Sequence, residues 1–95
     1  MGMGSNQSKE AQMDQNIVKY LIGERKKVED KYQKARLEYL ECAEEYAAVL
    51  QDYKNGKCTM TTLDLCQARI IGAKSDMNKW TFIDHHLEDM IKQLQ

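Results

Sequence analysis

The sequence contains no proline and no apolar run near the roughly 20 residues needed to cross a bilayer as a helix. Without proline, and with 31% charged residues, long helices are favoured over a turn-rich sheet. Three cysteines, Cys42, Cys58 and Cys66, cannot all pair with one another. No N-terminal apolar run resembles a signal peptide, so a reducing, cytoplasmic setting is expected. A formal charge of −1, from 14 basic and 15 acidic side chains, excludes global attraction to nucleic acid or an acidic membrane.

What is present is a heptad pattern. Tyr32, Tyr39, Tyr46 and Tyr53 recur every seven residues, which returns them to one side of a helix. Placed at position a with Val18 and Arg25, they put Leu21, Val28, Ala35, Cys42 and Val49 at d. A second segment carries Leu63, Ile70, Met77, Asp84 and Ile91 at a, and Cys66, Ala73, Trp80, Leu87 and Leu94 at d. Such sustained a/d seams predict knobs-into-holes helix packing.

Asn55-Gly56 is a helix-stop signal, and the threonines after it can cap a second helix. Thr61 and Asp64 have the spacing of a capping box. The expected organisation is all-α: a flexible arm over residues 1–11, then helices over about 12–54 and 62–94. These form a long antiparallel hairpin with coiled-coil-like packing. A first helix of about 42 residues spans roughly 63 Å and a second of about 33 spans roughly 50 Å, so the first overhangs. A chain of this length buries little core alone, so dimerisation or entry into another protein's bundle is expected.

Counting outward from the loop pairs Tyr53 with Leu63, Tyr46 with Ile70, Tyr39 with Met77 and Tyr32 with Asp84. Asp84 interrupts an apolar seam, and an unsatisfied carboxylate there is costly. A polar cluster of Arg25, Asp84 and Tyr32 is therefore expected to set the register. Trp80, by its d position, belongs with Tyr39, Tyr46, Tyr53 and Met77 in the core.

Other apolar residues fall off the seams: Leu37, Leu40 and Leu50 on the first helix, and Leu65, Ile71, Phe82, Ile83 and Met90 on the second. They predict a second, partner-binding surface, with Phe82 as an external anchor. Charge is also divided. "ERKKVEDKYQKAR" holds six basic and three acidic residues, and the following "EYLECAEEYAAVLQD" holds five acidic and none basic. This two-signed rod suits recognition of a protein or an antiparallel second copy better than a polyanion.

Sites of chemistry are few. "DHHLED" clusters potential ligands from Asp84 to Asp89 but lacks the two-histidine spacing of a zinc helix, so no metal or cofactor is expected. No catalytic constellation is evident, and a non-enzymatic role is expected. Read from Met3, "MGSNQSK" offers Gly4 for myristoylation, which would give weak membrane association. The expected function is an adaptor or assembly subunit that presents a helical surface to a protein partner or a second copy. The alternatives are a small chaperone masking a partner's helix and a peripheral membrane adaptor acylated at Gly4.

Overall fold

Two helices joined by a short loop make a rod of 81 × 15 × 14 Å. The computed structural model describes the backbone of residues 2–95 and the side chains of residues 10–95. Helix α1 runs Gly2–Lys54 and α2 runs Met60–Leu94. At 1.5 Å per residue, α1 alone accounts for the full length of the rod. The helix is continuous from Gly2, with no change of backbone at residue 12 where an arm was expected to end. The acylation reading at Gly4 falls within residues 1–9 and lies outside the described side chains.

The loop follows from its residues. Gly56 has φ of 73°, a left-handed conformation that glycine adopts without a Cβ penalty. The Lys57 amide donates to the Asp52 carbonyl at 2.7 Å and the Gly56 amide to that of Tyr53 at 3.1 Å. This is a Schellman closure, which satisfies carbonyls that the end of α1 would leave open. Thr59 then caps α2, its Oγ1 accepting from the Thr62 amide at 3.4 Å. The cap lies two residues before the expected Thr61. Extended backbone at Thr59, with φ of −94° and ψ of 162°, places its hydroxyl beside the free first-turn amides.

The buried residues are Leu21, Val28, Ala35 and Cys42 from α1 and Leu63, Cys66, Ala73 and Ile91 from α2. All eight occupy a or d positions. The remaining a and d residues between Val18 and Leu94 are half-buried, apart from Tyr53 at 37% exposure. Among the described residues, one continuous seam therefore forms the core.

Cross-helix contacts set the register. Arg25 bonds to Asp84, Lys31 approaches Trp80, and Glu45 meets both Cys66 and Arg69. In this register Tyr32 stands level with Trp80, Tyr39 with Ala73 and Tyr46 with Cys66. The expected pairing of each a with an a is thus corrected to a with d. The cause is the loop, which is shorter than assumed because α2 starts at Met60. In the closed half of the rod, each tyrosine meets a small residue, while small Ala35 and Cys42 stand level with large Met77 and Ile70. This alternation fills layers of similar volume. Tyr53 lies level with Thr59, before the first turn of α2, and so is exposed rather than part of the core.

At the other end, Leu94 stands level with about Val18. Some sixteen residues of α1 continue beyond it, roughly 24 Å of helix past the end of α2. No helix among the described residues is long and apolar enough to cross a membrane.

Candidate interaction surface

Polar side chains close the open half of the seam. Arg25 Nε donates to Asp84 Oδ1 at 2.9 Å and Nη2 to Oδ2 at 3.2 Å, a two-pronged pairing across the helices. Nη2 also lies 3.6 Å from Glu88 Oε2, and Lys92 Nζ lies 3.1 Å from Glu88 Oε1. The hydrogen bond from Arg25 is the main cause holding the Asp84 carboxyl below its ordinary pKa, against partial desolvation. The same bond raises the pKa of Arg25.

Tyr32 lines the same open groove as Arg25 and Asp84, but its hydroxyl has no hydrogen bond to the carboxylate among the described residues. The third member of the cluster is Glu88. The signal for it was present in sequence: Glu88 follows Asp84 by four residues and shares its face of α2.

Trp80 is half-buried in the seam, with Lys79 Nζ 4.5 Å and Lys31 Nζ 5.8 Å from the ring centroid. One lysine comes from each helix, so the ring has cation–π partners from both. Nearer the loop, Arg69 Nη1 lies 2.9 Å from both oxygens of Glu45. Glu45 and Arg69 both occupy position g, and antiparallel pairing brings such flanks together. The Cys66 thiol beneath donates to Glu45 Oε1 at 3.8 Å. Burial, then the neighbouring Glu45 charge, pushes this thiol's pKa up and disfavours its reactive anion. Cys58, closer to the loop, donates to the Val49 carbonyl. All three cysteines are free thiols.

The off-seam apolar residues divide into two groups. Leu37, Leu40, Leu65, Ile71 and Phe82 are exposed, Phe82 most of all at 75%. Leu50, Ile83 and Met90 are instead half-buried at the e and g margins, where the opposing helix covers part of each side chain. They form the border of the seam rather than an outer face.

On the e flank, Leu40, Ala43, Ala47 and Leu50 follow one another at spacings of three, four and three along α1. Ile71 of α2 stands level with Leu40 on this same side. Large residues at the ends with alanines between them are the pattern of a shallow trough into which a helix can pack at close range. Met13, Ile17, Tyr20 and Ile22 are also exposed, all on or near the overhang of α1.

Among the described residues, no three His, Cys, Asp or Glu side chains are placed to hold a metal ion. His85 and His86 of the "DHHLED" stretch are exposed on α2. No family model matches the chain, and no curated protein or solved structure is significantly similar to it.

Proposed function

We propose that the protein is a non-enzymatic adaptor or assembly subunit whose hairpin presents a helical surface to another protein. The observation that carries this reading is the e-flank trough. After the two helices have closed their seam, Leu40 and Ile71 remain 47% and 62% exposed around Ala43 and Ala47. Exposed apolar side chains grouped on one flank mark an interface more often than a solvated face. The hairpin supplies pre-organisation: a partner helix meets two helices already aligned, so less ordering opposes its binding.

The test compares complexes recovered from the native cell by the natural protein and by a Leu40→Asp, Ile71→Asp variant. A partner held by the first and lost by the second, at unchanged helical content, supports the reading. Equal recovery by both overturns it. Loss of helicity in the variant would instead make this flank part of the internal packing.

A further inference from the structure

Opposite the trough, the c and g positions of α1 carry a separate pattern. Lys27, Lys31 and Lys34 are followed by Glu38, Glu41 and Glu45, at spacings of four, three, four, three and four. All six are exposed. The spacing keeps them on one stripe of the helix, and the sign of the charge inverts about residue 36.

Like charges three and four residues apart repel along a helix, whereas alternating signs would attract. Each half of the stripe is therefore self-repelling in an isolated copy, and only the central Lys34–Glu38 step joins opposite signs. Within the chain this repulsion is little relieved. Lys27 pairs with Glu24 at 3.3 Å and Glu45 with Arg69, while Lys34, Glu38 and Glu41 make no ion pair among the described residues.

We infer that this charged flank docks a second copy of the chain, antiparallel, about a two-fold axis level with residue 36. Reversal about that point sets Lys27 of one copy against Glu45 of the other, Lys31 against Glu41 and Lys34 against Glu38. Symmetry repeats each pair. Antiparallel packing preserves the match because g flanks face g flanks. A parallel copy would set lysines against lysines, and a shift by one heptad would leave charges unmatched at the centre.

Other residues agree with the same axis. Tyr20, 65% exposed, comes level with Asp52 of the other copy, where its hydroxyl can donate to the carboxylate. Lys79 of α2 adds positive charge to the basic half. Leu65, 64% exposed, falls beside the half-buried Ile83 and Met90 of the second copy, which adds apolar burial at both ends. The trough on the e flank stays open, so self-association leaves the proposed partner surface free. The inference rests on the helical-surface reading only in naming one partner for it.

Sedimentation equilibrium of the full chain tests this pairing through charge exchange. The natural chain is expected to dimerise at low salt and to dissociate toward about 1 M salt, where screening acts beyond roughly 3 Å. Lys31→Glu with Lys34→Glu makes the four central positions of the stripe acidic and leaves only Lys27 basic, and Glu38→Lys with Glu41→Lys makes those four basic and leaves only Glu45 acidic. Each variant alone should dimerise about ten-fold more weakly or worse. Mixing the two, or combining all four changes in one chain, should restore association. These side chains are exposed, and unchanged helical content keeps folding out of the readout. A monomeric natural chain at low salt overturns the inference, as does a dimer that neither variant weakens. Neither result bears on the e-flank trough, which the Leu40→Asp, Ile71→Asp comparison tests separately.

Discussion

The two halves of the rod solve the same packing problem differently. Near the loop, the seam is apolar throughout: tyrosines face Cys66 and Ala73, and Leu63 lies beneath them at 8% exposure. Toward the free ends, Arg25 and Asp84 replace apolar residues and close the seam with a two-pronged ion pair. The contrast separates two tasks. Apolar layers supply most of the stability but tolerate exchange of partners, since burial is non-directional, whereas a charge on the seam needs an opposite charge at a set level and so distinguishes one register from its neighbours.

Deleting apolar volume in each half breaks the comparison most strongly. Leu63→Ala is expected to cost about 2–4 kcal/mol, from lost transfer energy and the cavity left behind. Ile91→Ala, equally buried but near a fraying end, should cost about 1–2 kcal/mol. Chemical unfolding followed by helical signal measures both, and equal losses would show that the halves are energetically alike.

The ion pair gives the next effect. Asp84→Ala should cost about 1 kcal/mol, because Arg25 is exposed enough to regain water. Replacing both partners, Arg25→Leu with Asp84→Leu, should recover that loss or exceed it while broadening inter-helix distances measured between spin labels. A distance distribution as narrow as that of the natural chain would remove the register-setting role. Gly56→Ala should cost about 1 kcal/mol by placing a Cβ in the left-handed region, a loss confined to the closed end.

Acid provides the smallest and most selective probe. The pKa of Asp84 is depressed in the folded chain, so its contribution is complete above the unfolded carboxylate value of about 3.9 and is lost as pH falls through the lower folded value. Thermal unfolding between about pH 5 and pH 2 should therefore show a steeper decline for the natural chain than for the Arg25→Leu, Asp84→Leu variant.

The seam was legible because heptad spacing depends on sequence alone. Val28, Cys42, Cys66 and Ala73 could be placed in the core without knowing what they touch. Register was less legible, since it depends on where α2 begins, and Thr59 and Thr61 offer similar capping chemistry two residues apart. That small offset moved Tyr39 from Met77 to Ala73 and left Tyr53 without a partner. Glu88 was missed for a different reason: its spacing of four from Asp84 placed it on the same face, but it lies off the a and d positions. The margins were hardest to read. Leu50, Ile83 and Met90 lie at positions that periodicity puts off the seam, yet side-chain length carries them partly beneath the opposite helix.

The loop at one end and the unjoined helices at the other also decide how the rod yields to force. Pulled apart at its free ends, it would peel layer by layer, and tension would reach the tyrosine layers only after Arg25 and Asp84 had separated. Pulled along its axis, it would have to drive the Tyr39 and Tyr46 rings past bulky neighbours in many layers at once. The same seam is thus weak in peeling and strong in shear, and the direction of a load would determine whether the hairpin opens.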